Sequence, residues 1–491
     1  MPQSLTAKTL LLSSGKILAA FSTIGITAIL TRTLTMDDYA THRQALLMYA
    51  MVAPALMLGL PKALYFFIPG DEARARSLLL SNLLGLASMG ALFAVVMWCG
   101  LGQAMASYFD NPALVALGDY VGVYALFILP TSAFGACMMT TDRVARLVAT
   151  NVITQLLLVV VVAFAAIEFG HPQATIGAYV AWSAVVFLVT LVMMFQATNK
   201  SEDRQPRWSD MRSQVKYAVP LGLASMFGAI STQVDKFIVS TMCSPAEFAI
   251  YVTGALELPL IGIVTGAMSA VVLPELAKFF KQGNTRAIVS LWQRAMNKAI
   301  LVLAPAMFGV LLLGPELMTV LFGDAYIDAS DPLRVYALQL PARSAVYGSV
   351  LMATNETRWV TIAAIVGLTL NTLMSLLMVY LLGPTGAAWA SVVTTYSVIL
   401  FMVWMMTRVL DTRIQDLIAW TYLARVCVVA GLPAAALFFG SFLWAPETTL
   451  VRLVVMGALY VGIVLVAYAK WGIATPAELL AFLRRRNNQA M

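Results

Sequence analysis

The sequence predicts an all-α polytopic membrane protein with about 14 transmembrane helices, arranged as two pseudo-symmetric six-helix lobes followed by two C-terminal helices. Three observations lead to this fold class. Of the 491 residues, 60% are hydrophobic and only 11% are charged, and the mean hydropathy is +0.84. Apolar runs of about 20 residues, enough for a helix to cross a hydrocarbon core of about 30 Å, recur along the chain. The third observation is an internal repeat of the sequence.

The apolar runs place the predicted spans in order along the chain. The spans fall near residues 9–30, 44–68, 77–101, 120–140, 147–167, 177–197, 216–241, 250–274, 299–322, 333–353, 359–382, 386–407, 423–443 and 451–470. Lysine and arginine are retained on the cytoplasmic side of short loops, and most of the 31 basic residues fall on the side of the N-terminus. We therefore expect both termini in the cytoplasm.

The net charge of +7 has a simple explanation in this setting. Basic loops and the Arg484, Arg485 and Arg486 tail lie next to anionic lipid, so no nucleic-acid partner is expected. The 4 cysteines and 2 histidines are scattered without close spacing, which predicts neither a disulfide framework nor a metal site. No cofactor is expected, apart from coupling to H⁺ or Na⁺.

The internal repeat appears when the chain is laid on itself with an offset of 209 residues. "MDDYA" at 36–40 then falls on "PAEFA" at 245–249, and the starts of the sixth and twelfth spans also match. Six spans per copy is an even number, so the copies are parallel repeats about an axis normal to the membrane. The predicted domains are an N-lobe over 1–198, a cytoplasmic linker over 199–215, a C-lobe over 216–410, and the last two spans with a basic tail over 411–491.

The stretch "STQVDKFIVS" at 231–240 places Asp235 and Lys236 inside the seventh span. A charge within a span costs about 2.5–3.5 kcal/mol on insertion scales and therefore indicates function. Helix neighbours point about 100° apart, so we expect the two side chains to seek other partners than each other. A helical projection puts the polar and small residues of this span on one arc. The arc contains Gly222, Ser225, Gly228, Thr232, Asp235, Lys236 and Ser240.

Arg343 lies near the centre of the tenth span, too deep for its side chain to reach either surface. It follows Pro341, which loosens a helix and frees carbonyl groups, as is tolerated where a helix lines a cavity. Two interpretations stay open for this arginine. It either binds substrate or belongs to a structural ion pair.

Other charged residues within spans are also candidates. Lys16 and Lys62 each lie roughly 10 Å from the cytoplasmic boundary, so they either line a cavity or extend to the surface. Glu257 is a candidate partner for Lys236, and either Glu257 or Asp235 is a counterion or takes part in ion coupling. Glu316 is expected to mark the end of the ninth span.

These residues together predict a cationic cavity. Lys16, Lys236 and Arg343 would wall it, while the first six spans carry no acidic residue in their interiors. Lysine meets a phosphate ester as a point charge and arginine meets it as a two-pronged donor. The predicted ligand of the cavity is therefore an anion, above all a phosphate ester.

Three segments carry a resemblance to a known family. They are "LTRTLTMDDYATHRQALLMYA" after the first span, "QVDKFIVS" in the seventh and "VVLPELAKFF" at the end of the eighth. With the twin lobes, they resemble the bacterial polysaccharide flippases (Wzx type) of the MATE-like multidrug/oligosaccharidyl-lipid/polysaccharide (MOP) exporter superfamily. The resemblance implies that an undecaprenyl-diphosphate-linked oligosaccharide crosses the inner membrane by alternating access, for O-antigen or exopolysaccharide synthesis.

The resemblance also assigns roles and partners. It implies that Arg343, Lys236 and Lys16 receive the diphosphate and sugar, and that the last two spans accommodate the lipid tail. Lys62 is a further candidate for the cationic cavity. Membrane lipids, a polymerase and chain-length proteins of the same pathway are the implied partners. The implied location is the bacterial cytoplasmic membrane.

Three alternatives remain beside this interpretation. A lipid II flippase is the nearest, and the sequence alone separates it poorly. A MATE-type cation or drug antiporter would require a buried carboxylate in the first lobe, which is missing. A membrane glycosyltransferase or polymerase would use Asp37 and Asp38 in the first outer loop, but no large outer loop exists to hold an acceptor. We therefore expect a transporter and not an enzyme.

Overall fold

The computed structural model describes residues 5–256, 272, 275–441 and 447–473, with side chains for all of these except 5–14, 16, 221 and 224. Within this part of the chain the regular structure is helical. The first twelve helices are α1 (Leu5–Thr33), α2 (Met36–Met57), α3 (Leu60–Gly70), α4 (Ala75–Val96), α5 (Gly102–Tyr108), α6 (Leu114–Thr131), α7 (Ala133–Thr140), α8 (Val144–Phe169), α9 (Pro172–Ala197), α10 (Trp208–Ser231), α11 (Val234–Met242) and α12 (Pro245–Gly254).

The remaining helices follow in the second half of the chain. They are α13 (described over 275–281), α14 (Thr285–Phe322), α15 (Ser330–Ala337), α16 (Tyr347–Ala353), α17 (Thr357–Leu382), α18 (Pro384–Leu410), α19 (Ile414–Leu417), α20 (Trp420–Gly440) and α21 (Thr449–Lys470). Ten helical segments of the described residues are long and apolar enough to cross a membrane. The predicted fold class, an all-α polytopic membrane protein, is confirmed.

Several predicted spans consist of two shorter helices. The second span is α2 and α3, which meet at Leu58 and Gly59 in left-handed conformations. The fourth span breaks between α6 and α7 just after Pro130, and the tenth span breaks around Pro341 between α15 and α16. Proline lacks the amide hydrogen that a continuing helix needs, which explains the breaks in the fourth and tenth spans.

The predicted repeat has a local counterpart in the two copies of the capping segment. Thr35 Oγ1 accepts from the backbone N of Asp38 at 3.1 Å, and 209 residues later Ser244 Oγ accepts from the backbone N of Glu247 at 3.3 Å. In each copy the carboxylate also bonds the hydroxyl of its partner. Both α2 and α12 therefore begin at an N-terminal cap of the same kind, which satisfies amide groups left free by the helix start.

The chain divides into two compact units. The first is drawn from Met1–Ala20, Ile250–Gly367 and Leu381–Met491, and the second from Phe21–Ala249 and Leu368–Tyr380. These units rest on spatial proximity, whereas the predicted lobes rest on the repeat. The lobe boundaries therefore stay a prediction.

The second unit contains a very close crossing of two helices. α10 passes the break between α2 and α3 at Gly222, where an added Cβ would overlap the backbone of Leu58. A Cβ on Gly59 would likewise lie 2.8 Å from the carbonyl oxygen of Ala218. Only glycine permits backbones to approach so closely.

In the first unit, α14 packs against α20 and α21, contains two internal prolines, and kinks at Leu313, where the backbone angles are not helical. Pro305 cannot bond the carbonyl of Leu301, and the hydroxyl of Tyr468 lies 3.4 Å from that oxygen. Pro315 likewise leaves the carbonyl of Leu311 free, and Arg334 Nε donates to it at 3.0 Å. Side chains from neighbouring elements thus replace the two missing backbone donors.

Candidate functional site

The predicted site residues are distributed over both units. Lys62, Asp235 and Lys236 lie in the second unit, and Arg343 lies in the first. Lys16 belongs to α1, but its side chain lies outside the described part of the structure, as does Glu257 altogether. The predicted cavity joining these groups therefore stays a prediction.

Lys236 lies next to a break in the seventh span. α10 ends at Ser231 and α11 begins at Val234, so the carbonyl groups around the break lose helical partners. Lys236 Nζ donates to the carbonyl of Thr232 at 3.0 Å, and Asn371 Nδ2 donates to that of Ser231 at 2.9 Å. Asn371 and the lysine together stabilise a discontinuous helix, a feature that accompanies binding sites in transporters.

Asp235 is buried, with 2% of its surface exposed, and it faces the lysine beside it. Lys236 Nζ lies 3.5 Å from Asp235 Oδ1, which is within ion-pair distance. The expectation that these neighbours would not pair with each other is wrong. The long lysine side chain folds back over the first turn of α11, and its flexible four-carbon stem overcomes the angular separation of the two Cβ atoms.

Lys62 opens the short helix α3 directly after the break at Gly59. Its Nζ donates to Ser225 Oγ at 3.0 Å, and the lysine is exposed. Ser225 belongs to the polar arc predicted for the seventh span. Lys62 is therefore directed toward that arc by a specific hydrogen bond.

A buried amide network that the sequence did not predict holds α11 in place. Gln44 Nε2 donates to Ser240 Oγ at 3.0 Å, and Asn111 Nδ2 donates to Gln44 Oε1 at 2.7 Å and to Thr41 Oγ1 at 2.8 Å. The available signal was a glutamine near the start of an apolar span, since buried amides need partners. The network ties the helix that carries Lys236 to α2.

Arg343 lies in a short 3-10 turn, Pro341–Ser344, within the broken tenth span. It is half-buried, and no carboxylate among the described residues lies within ion-pair distance of it. One of the two interpretations of Arg343 was a structural ion pair. No partner for such a pair lies in this part of the chain.

The first unit also contains a charged cavity of about 700 Å³ that the sequence did not predict. Glu316, expected at a span end, lies six residues before the end of α14 at Phe322 and forms an ion pair with Arg452 at 3.0 Å. The position of the span end stays a prediction. Arg334 lines the same cavity.

No group of three or more potential metal ligands of the His, Cys, Asp and Glu types occurs among the described residues. Guanidinium and ammonium groups at helix breaks are suited to hold oxyanions.

Comparison with known proteins points to one family. A sequence profile of the family described as lipid II flippase MurJ matches residues 73–459, well over half of the chain. A "probable lipid II flippase MurJ" of Rhizobium meliloti is 24% identical over 364 residues, which is 69% of this chain and 66% of the relative. A "probable low-salt glycan biosynthesis flippase Agl15" of Haloferax volcanii is 21% identical over 240 residues, or 48% of this chain and 50% of the relative.

The matches thus span about half to two thirds of the length of these curated relatives. Among solved structures, a lipid II flippase MurJ in an inward closed conformation has a TM-score of 0.75 at 14% identity, with 95% of this chain and 98% of that chain covered. This similarity shows the fold. Proteins of the matched family are transporters rather than catalysts of a chemical reaction, as the sequence predicted. The extent of the profile match shows that the chain belongs to the lipid II flippase MurJ family.

Proposed function

We propose that this protein is a flippase that moves an undecaprenyl-diphosphate-linked glycan from the inner to the outer leaflet of the bacterial cytoplasmic membrane. The family match over residues 73–459 carries this proposal. The multi-pass helical fold is consistent with it, and so are basic side chains within the predicted spans. Both termini are proposed to lie in the cytoplasm, since most basic residues flank that side.

Lipid II is the first candidate substrate, because the matched family and the Rhizobium meliloti relative carry its name. A lipid-linked oligosaccharide for O-antigen or exopolysaccharide synthesis is the second. Similarity to a glycan biosynthesis flippase and the resemblance to polysaccharide flippases favour it. Both substrates present a diphosphate next to sugar, so the same cationic groups would serve either one. With the second, a polymerase and chain-length proteins would be partners.

The proposed chemistry is recognition of the diphosphate. Arg343 supplies a two-pronged donor without a carboxylate partner among the described residues, and Lys236 and Lys62 supply point charges. Lys16 is proposed as a further contact. Neutralisation of the head group would permit closure on one side and release on the other.

Asp235 or Glu257 is proposed to couple the cycle to H⁺ or Na⁺. Asp235 is buried beside Lys236, so a change in its charge would alter how strongly that lysine attracts an anion. When a group near an ammonium gains or loses a charge, the affinity of that ammonium for an anion changes. The change is larger where water is excluded.

The experiment is depletion of this protein in its own cells, followed by extraction of lipid-linked glycans and measurement of their exposure on each membrane face. The proposal expects one lipid-linked glycan to accumulate on the cytoplasmic face. Lipid II accumulation would identify the first candidate, and an oligosaccharide on the same carrier would identify the second. An unchanged level and distribution of all lipid-linked glycans would contradict the proposal.

A further inference from the structure

A second cavity of the first unit, of about 570 Å³, lies where α17 begins and α18 ends, next to α13. Its volume is within the range of small-ligand pockets, about 300–1,000 Å³. The charged and aromatic residues that line it are Phe280, Glu356, Arg358, Trp359, Trp404 and Arg408. None of the proposed diphosphate contacts or ion-coupling residues is among the residues of this lining.

Arg408 supplies the cation of this second cavity. Its guanidinium lies over the ring of Trp404, 4.1 Å from the ring centroid, in a cation–π contact. No carboxylate among the described residues lies within ion-pair distance of Arg408. A cation–π contact restricts the position of a guanidinium without using its N–H donors, so the fork of Arg408 can still donate to a ligand.

The other two charged residues of the lining neutralise each other. Arg358 Nε lies 2.9 Å from Glu356 Oε2 and donates a hydrogen bond to it. The lining contains two guanidinium groups against one carboxylate, so one positive charge, that of Arg408, is in excess. The charge balance therefore favours an anion as the ligand.

Aromatic side chains form one wall of the second cavity. The rings of Trp359 and Phe401 lie with their centroids 6.2 Å apart, and the rings of Phe401 and Trp404 are also 6.2 Å apart. Trp404 stays exposed although it is among the largest apolar side chains. An exposed indole combines an apolar body with a polar N–H, which suits the boundary between hydrocarbon and headgroups.

The position of these residues relative to the predicted spans agrees with that boundary. Trp359 is the first residue of the predicted span 359–382, Trp404 lies in the last turn of the span 386–407, and Arg408 directly follows that span. In the predicted orientation, both of these span ends face the cytoplasm. Arginine just beyond the hydrocarbon lies at the level of the lipid headgroups, where anionic lipid attracts it.

We propose that the second cavity binds the headgroup of an anionic phospholipid of the cytoplasmic leaflet, with its phosphate on the fork of Arg408 and its glycerol backbone against Trp359 and Trp404. A guanidinium binds a phosphate through two parallel hydrogen bonds. The excess positive charge favours a headgroup with a net negative charge over a zwitterionic one. This lipid is a bound component of the protein and not the transported substrate, so the inference goes beyond the proposed function.

The test is native mass spectrometry of the purified, delipidated full-length protein, which counts the lipids bound to each intact molecule during a titration. The probes are phosphatidylglycerol and phosphatidylcholine with identical acyl chains. We expect phosphatidylglycerol to bind at least about fivefold more tightly, in line with the attraction of one basic side chain to an anionic headgroup. The measurement contains no transport step, so it can fail while the proposed function stands.

Variants of the second cavity locate the binding. Arg408→Gln should abolish the preference for phosphatidylglycerol, because it removes the charge that is in excess. Trp404→Leu should weaken phosphatidylglycerol binding about two- to fivefold, as expected for the loss of an exposed cation–π contact. Arg294→Gln is the matched control and should change nothing, since this exposed arginine of α14 lies on the same predicted side and bonds Ser290.

Equal binding of the two lipids to the unaltered protein would overturn the proposal. So would a preference that persists in Arg408→Gln, or one that Arg294→Gln lowers just as much. If Arg408→Gln does not fold, Trp404→Leu decides, and undiminished phosphatidylglycerol binding by that variant would contradict the proposal. Displacement of phosphatidylglycerol by inorganic phosphate would mean that the cavity holds a free anion, and would overturn the lipid as its occupant.

Discussion

At Gly222 the backbone of α10 lies directly against Leu58, at the point where α2 gives way to α3. The contact involves main-chain atoms of both helices, so no side-chain rotation can make room for a methyl group. The neighbouring Gly228, on the same helix, has no atom within 4 Å of the place where a Cβ would lie. A methyl group at Gly222 would therefore clash with backbone atoms, whereas one at Gly228 would have free space.

Gly222→Ala should lower the free energy of unfolding by about 1–3 kcal/mol, because a methyl group would force α10 away from Leu58. Thermal unfolding of the detergent-purified protein measures this. Gly228→Ala is the control, and we expect it to be neutral or slightly stabilising, since alanine is the better helix former. Equal unfolding temperatures for both variants would show that the crossing does not constrain the fold.

At the level of single residues, the sequence identifies the charges but not their partners. It marks Asp235 and Lys236 as costly, yet their mutual contact depends on how the lysine side chain folds over the start of α11, which angular spacing alone does not give. Arg334 has no visible signal, since its role depends on a carbonyl that Pro315 frees on another helix. Partners from distant segments require the tertiary structure.

At the scale of helices, proline has different consequences in different places. Pro341 is expected to disrupt the tenth span and does, whereas α14 continues past Pro305 and only kinks at Leu313, close to Pro315. The difference lies in the donors that Tyr468 and Arg334 bring to the freed carbonyls. The break between α10 and α11 has no proline within it, so no residue type there signals it.

Two buried amide side chains connect α10 to α4. Asn82 Nδ2 donates to Gln214 Oε1 at 2.7 Å, and Gln214 Nε2 donates to the carbonyl of Leu78 at 2.9 Å. Both amides are 0% exposed. Buried amide pairs of this kind help to fix the register of two helices, here together with the hydrogen bond that Ser77 Oγ donates to Asp210 Oδ2 at 3.0 Å.

Gln214→Leu should destabilise the protein by about 1–2 kcal/mol, because it removes the acceptor of a buried Asn82 amide. A double-mutant cycle with Asn82→Leu measures the coupling, which we expect at about 0.5–2 kcal/mol. The unfolding free energies of the four proteins give this coupling directly. Strict additivity of the two single effects would mean that the amide pair does not hold the helices together.

At the scale of the whole molecule, composition predicts the fold class correctly, because hydrophobic length is a property of sequence alone. The predicted eighth span, 250–274, lies mostly outside the described residues. The boundaries differ where helices extend beyond the apolar run, as in α14, which begins at Thr285 rather than near residue 299. The family is a lipid II flippase family, whereas the sequence favours polysaccharide flippases and leaves lipid II as the nearest alternative. The shared fold and degenerate motifs explain why the sequence does not separate the subfamilies.

The central claim is that cationic groups within the spans bind the diphosphate of a lipid-linked glycan. Arg343 gives the clearest test of this claim, because it is half-buried in a broken span and has no carboxylate partner among the described residues. Removal of an arginine from a charge-assisted contact costs about 1.5–3 kcal/mol, which corresponds to roughly a tenfold or greater loss.

The most direct measurement is transfer of purified lipid II across vesicles that contain the reconstituted protein, scored by how much of it an external, membrane-impermeant reagent reaches over time. We predict transfer by the unaltered protein, a rate at least about tenfold lower for Arg343→Ala, and an unchanged rate for Arg358→Ala, an exposed arginine paired with Glu356 in the same unit. An Arg343→Ala protein that transfers lipid II as fast as the unaltered one, at equal amounts in the membrane, would contradict the account.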